Sequence, residues 1–124
     1  MAAATVRLQG VLGNTLMTDT AVTNSVVAGH SGNTTIYHVE FDNTANSAVT
    51  YLKIYESGSV TLGTTQPSLI VKAAASTKEY LSLPTGLTNL NAMQYIATTT
   101  ASNSAGSPAA PSNACKLTIL HVPY

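Results

Sequence analysis

Apolar and polar positions alternate with a period of two along much of the chain. The alternation is clearest over Thr34–Asp42 (TTIYHVEFD). There Tyr37, Val39 and Phe41 share one face, and Ile36, His38, Glu40 and Asp42 take the other. That period predicts a half-buried strand, which the turn formers from Asp42 to Asn46 bring to an end. Val49–Glu56 follows, with Tyr51, Lys53 and Tyr55 on one face and Leu52 and Ile54 on the other. A Gly/Ser/Thr-rich connection then leads into Ser68–Lys72 through Pro67, a placement that suits a strand start. Glu79–Leu83 alternates again and is expected to stop at Pro84. Ala92–Thr99 and Cys115–Val122 complete the clear set, and Thr5–Leu12 and Met17–Val27 are expected to supply one strand each.

Two helical alternatives compete with this reading. Ser76-Thr77-Lys78-Glu79 fits a capping box, but Pro84 leaves room for barely one turn, too short to hold as a helix. Leu87–Met93 is an equally weak candidate. Eight candidate strands in 124 residues therefore predict one all-β domain spanning 1-124, a jelly-roll-like antiparallel β-sandwich. Residues 1-5 are expected to form an N-terminal arm. The stretch 99-113 (TTASNSAGSPAAPSN) has no core-forming side chain larger than alanine and reads as a long loop.

Charge narrows the functional classes. Charged residues make up 8% of the chain and the formal net charge is zero, against about a quarter of residues in an ordinary domain. The basic residues Arg7, Lys53, Lys72, Lys78 and Lys116 are scattered, so nucleic acid, which demands a clustered basic surface, is not an expected partner. A surface built from Thr, Ser and Asn is cheaper to desolvate than one of Lys and Glu, which interfaces avoid. This composition suits a subunit packed against copies of itself and of other chains.

Candidate chemistry is sparse. Cys115 is the single cysteine, lies in an apolar run and reads as a small buried hydrophobe. Asp19, Glu40, Asp42, Glu56 and Glu79 are explained as solvated surface carboxylates. His30, His38 and His121 sit in separate segments without zinc-type spacing, although a threefold axis would multiply any one of them. The GSVTLGTT stretch lacks the lysine of a phosphate loop and no helix follows it. The expectation is a non-enzyme with no catalytic residue, no metal and no cofactor. The N-terminus lacks the basic and apolar regions of a signal peptide, and no stretch approaches a membrane span. No membrane partner is expected.

The segment VEFDNTANSAVTYLKIYESGSVTLGTTQPSLIV, followed by a strand, LPTGL and an Ala/Thr-rich run, resembles small β-sandwich structural proteins of tailed bacteriophages. In those chains a strand ending in YLKxY precedes a GTTxPxL segment, a proline-glycine turn and a strand running into an Ala/Thr/Ser-rich loop. Here the matching positions are Tyr51–Tyr55, Leu62–Ile70, Pro84–Gly86 and Met93–Ala101, within a resemblance running from Tyr37 to Val122. The N-terminal third carries no part of it. The resemblance implies a virion component made in the host cytoplasm and placed on the capsid exterior. A capsid decoration (cement) protein, a homotrimer bound to the major capsid protein, is the leading expectation. A tail, fibre or baseplate protein with a receptor- or glycan-binding surface is the alternative. Assembly contacts are expected from the N-terminal arm (Ala2, Ala3, Ala4, Thr5, Arg7) and from the long loop (Ser107, Pro108, Pro111).

Overall fold

A computed structural model describes residues 3–7, 15–89 and 91–124. Nine strands are assigned: β1 (Ala4–Arg7), β2 (Thr15–Val22), β3 (Val27–Ser31), β4 (Thr34–Asp42), β5 (Thr50–Tyr55), β6 (Leu69–Ala73), β7 (Lys78–Asn89), β8 (Ala92–Thr98) and β9 (Cys115–Pro123). They form two antiparallel sheets, one ordered β1-β2-β9-β4-β7 and the other β3-β8-β5-β6. The orders β2-β9-β4-β7 and β3-β8-β5-β6 are those of a jelly roll, and β1 extends the first sheet at its β2 edge. The all-β sandwich expected from the sequence is the fold of the chain.

Met17, Ile36, Val39, Phe41, Leu117 and Ile119 from the first sheet meet Leu52, Ile54, Val71, Met93 and Tyr95 from the second in a fully enclosed core. The face assignment in β5 holds, since Leu52 and Ile54 point inward. In β4 it changes midway. The ladder shifts register between Ile36 and His38 against both β7 and β9, and a bulge of this kind inverts the inside-outside parity. Ile36 therefore joins Val39 and Phe41 in the core, while Tyr37 is only half-buried.

Other boundaries also move. Met17–Val27 is not one strand: β2 ends at Val22 and β3 begins at Val27. Residues 8–12 of the expected first strand lie outside the described residues. Strand β7 continues past Pro84 to Asn89. It tolerates proline because it is an edge strand and needs no ladder donor on its open side. Gly86 at φ 79 completes the irregularity, since a Cβ there would press into the side chain of Thr35. Ser76, which opened the capping-box pattern set aside in favour of a strand, turns the chain at φ 56 ahead of β7.

One polar pair crosses the core. The hydroxyl of Tyr95, on β8, donates to Asp19 Oδ2 on β2 at 2.6 Å, and the amide of Ala21 donates to Asp19 Oδ1 at 2.9 Å. Asp19 is 1% exposed, so it is a buried inter-sheet acceptor and not a solvated surface acid. A register shift between Asp19 and Val22 lets both face inward. Burial first, and the Asp19 hydrogen bond second, push the Tyr95 phenol far above its usual range.

Tyr95→Phe removes the donor and leaves a buried carboxylate oxygen without its side-chain partner. The expected cost is about 1–3 kcal/mol, read as a lowered urea midpoint at unchanged slope.

Candidate functional site

Three places concentrate polar side chains. The first is the outer face of the β1-β2-β9-β4-β7 sheet. Antiparallel register sets Thr18, Thr118, Glu40 and Tyr80 in one row across β2, β9, β4 and β7, and Lys116, Asp42 and Lys78 in the next. Directly opposed residues share a face, so these side chains form a continuous polar field. A groove of about 440 Å³ runs through it, lined by Thr18, Thr20, Glu40, Asp42, Lys78, Lys116 and Thr118 among others. Lys78 Nζ lies 3.2 Å from Glu40 Oε1 and 3.9 Å from Asp42 Oδ2. The Thr44 hydroxyl and amide both donate to Asp42 Oδ1. The hydroxyl bond does most to hold the Asp42 carboxyl below its usual range, against burial and with help from Lys78 and Lys116. The Glu40 hydrogen bond chiefly raises the Lys78 ammonium. The field is a self-neutralised set of half-exposed ion pairs, each worth little to stability. Tyr80 stands at its margin, 61% exposed, with the His38 ring 6.4 Å away.

The second place is the outer face of the other sheet, which the long connections cover. Lys53 is 1% exposed and donates from Nζ to Ala101 O at 3.2 Å and Ser102 O at 2.8 Å. Strand parity places it with Tyr51 and Tyr55, away from the core, and the β8–β9 loop folds back over that face. Burial lowers the Lys53 ammonium and raises the Tyr55 phenol. The loop is fastened along its length: Thr98 and Thr99 donate to Ala109 O, Ala109 N donates to the Thr100 hydroxyl, and Asn24 donates to Pro108 O. Pro108 and Pro111 are consequently buried within the chain's own fold, and Ser107 is exposed. The Gly/Thr connection between β5 and β6 meets the same loop. Gly63, at φ 88, approaches so closely that a Cβ would lie 3.0 Å from the backbone of Gly106.

The third is a histidine pair between the sheets. His121 on β9 is 1% exposed, and its Nδ1 lies 2.6 Å from the Thr34 hydroxyl. Its Nε2 is buried without a hydrogen-bond partner among the described residues. The half-exposed ring of His30, on β3, is centred 5.2 Å away. Burial first, and His30 second, lower the His121 imidazolium to about 4. Cys115 is similarly closed off, its thiol pushed up to about 11 mainly by burial.

The N-terminal residues expected as an arm are placed differently by the fold. Ala3 packs against the core, and Ala4 and Thr5 are exposed on β1, paired with Thr18 and Met17. Arg7 pairs with Thr15, and Ala2 lies outside the described residues. Among the described residues no group of three or more His, Cys, Asp or Glu is arranged to hold a metal ion, and no helix is long and apolar enough to cross a membrane. Sequence patterning did not reveal the Lys53, His121 and Asp19 contacts, because each joins segments far apart in the chain.

Two outcomes follow from this geometry. Lys53→Met keeps the buried stem and removes the charge, so global stability is expected to hold within about 1 kcal/mol. Amide exchange in the 99–114 loop is expected to accelerate, because Ala101 O and Ser102 O lose their donor. For His121 the folded value of about 4 lies below the ordinary 6.5, so the unfolded chain binds the extra proton. Stability should be full above pH 6.5 and fall as pH drops toward 4, by up to about 3 kcal/mol from this group. Urea midpoints measured across that window, for the wild type and His121→Gln, isolate its slope.

No family model, curated protein or solved structure matches the chain.

Proposed function

We propose that this chain is a non-enzymatic virion structural protein, a capsid decoration (cement) protein that binds and stabilises the shell of the major capsid protein. The observation that carries the reading is the character of one end of the sandwich. Four connections meet there, residues 23–26, 43–49, 74–77 and 99–114, and none of them contains a charged residue. Their exposed positions are alanine, serine, threonine, asparagine and glycine, with Val26 and Val49 each more than a third exposed. Covering such a surface strips no ion of its hydration, so the desolvation cost that limits charged interfaces is small.

The end is also rigidly shaped. Hydrogen bonds tie 43–49 to 74–77 and to 99–114, and a fixed surface loses little entropy when it docks. A cyclic homotrimer placing three such ends on capsid subunits would close without free edges. The sequence resemblance to phage structural sandwiches points the same way. The exposed Tyr80 beside the polar groove favours the second reading, a tail, fibre or baseplate protein that contacts a glycan, because an open aromatic ring beside hydrogen-bonding groups can stack on a sugar.

Copy number separates the two. Mass-spectrometric quantification of purified particles is expected to find this chain at a number near that of the major capsid protein. A handful of copies per particle would replace the capsid reading with the tail reading, and absence from particles would end both. Val49→Lys, at an exposed position, should fold normally yet be depleted from the same particles.

A further inference from the structure

We propose that His30 and His121 form a binding site for one divalent transition-metal ion of the zinc, nickel or copper class, bridging the two sheets. The inference is independent of the virion reading. It starts from an unexplained group: His121 Nε2 is buried and has no hydrogen-bond partner among the described residues. Buried polar atoms are nearly always satisfied, and an orphan calls for a reason such as an ion.

The rest of the ring is arranged as a metal ligand would be. The Thr34 hydroxyl holds Nδ1 at 2.6 Å, the kind of outer contact that fixes a ligating imidazole's tautomer and orientation. If Nδ1 carries the proton, the Nε2 lone pair is left buried without a donor among the described residues.

Separation supplies the second argument. Two imidazoles on a tetrahedral ion, with metal–nitrogen bonds of about 2.0–2.1 Å, place their ring centres about 5 Å apart. The rings of His30 and His121 are 5.2 Å apart and inclined at 59°. His121 is enclosed, whereas His30 is half-exposed on an edge strand. His30 can therefore turn a nitrogen toward the ion and give it a route to solvent. Water would complete the coordination on that open side. Imidazole donors favour zinc, nickel and copper over magnesium and calcium, which prefer oxygen.

Sequence spacing could not show the pair. The two residues are on different sheets, brought together at the end of the sandwich opposite the uncharged loops.

The test uses untagged full-length protein stripped with chelator. Zinc or nickel chloride is expected to raise the melting temperature by several degrees and to saturate at one ion per chain, while magnesium and calcium leave it unchanged. His30→Gln, at the half-exposed position, should fold and should weaken binding by about tenfold or more. His38→Gln, on the outer face of the sheet, should bind as the wild type does. Copper(II) electron paramagnetic resonance should report two coordinated nitrogens in the wild type and one in His30→Gln. No melting shift with any of the three metals at millimolar concentration, or an unchanged affinity and nitrogen count in His30→Gln, would overturn the proposal.

Discussion

The sandwich closes because two buried asparagines take over hydrogen bonds that charged residues are too scarce to supply. Asn43 donates from Nδ2 to Ala48 O and Ala74 O, and its amide donates to Thr77 O. Asn46 donates from Nδ2 to Asn43 Oδ1 and Asn113 O, while its Oδ1 accepts the amide of Asn113 at 2.7 Å. Asn46 O in turn accepts both the amide and the hydroxyl of Ser76. Three connections are thereby satisfied through one knot, in which every partner is an uncharged group. Backbone groups left unpaired here would each cost about 1–3 kcal/mol, so the shape of the uncharged end depends on these two side chains. Because they are fully enclosed, the surface above them can remain alanine, serine and threonine without losing definition.

Scarcity of charge has a second effect, on where the remaining ions go. Lys53 and Asp19 are spent inside, one holding a loop and the other joining the sheets. Glu40, Asp42, Lys78 and Lys116 neutralise one another on a single face. The remaining four, Arg7, Glu56, Lys72 and Glu79, all lie outside the four connections of the uncharged end. The two faces of the molecule therefore differ in kind: one sheet presents its polar side chains openly, and the other is roofed by its own loops.

The sequence was most readable where strand geometry alone decides. Alternation located β4, β5, β8 and β9 to within a residue or two, since each has one face in the core. It failed where the ladder is irregular. A bulge moved Ile36 inward and Tyr37 outward, and no local pattern marks a bulge before the partner strand is known. Pro84 looked like a stop because its position on a sheet edge is a property of topology and not of the adjoining residues. The separation of β2 from β3 was masked by the Thr and Val on both sides of Asn24-Ser25, which read together as one strand. The polar contacts were less legible still. The burial of Lys53 was not readable, because alternation can set it with Tyr51 and Tyr55 opposite Leu52 and Ile54 but cannot say that a loop much later in the chain will cover it.

The β5–β6 connection, rich in Gly, Ser and Thr, shows how plain chemistry becomes architecture. Thr61 accepts at its carbonyl from Thr64 and Thr65, and its amide donates to the Thr65 hydroxyl, which curls the segment without any long side chain. Gly63 then lets the curl approach Gly106 more closely than a Cβ allows. The loop against which it packs is the one held by Lys53 and, at its far end, by Asn46. A contact at one long connection is thus linked through the β8–β9 loop to the asparagine knot at the uncharged end. Load applied to that end would be carried along a hydrogen-bonded loop into the sheet beneath it, a mechanical continuity that a freely moving loop of the same composition would lack.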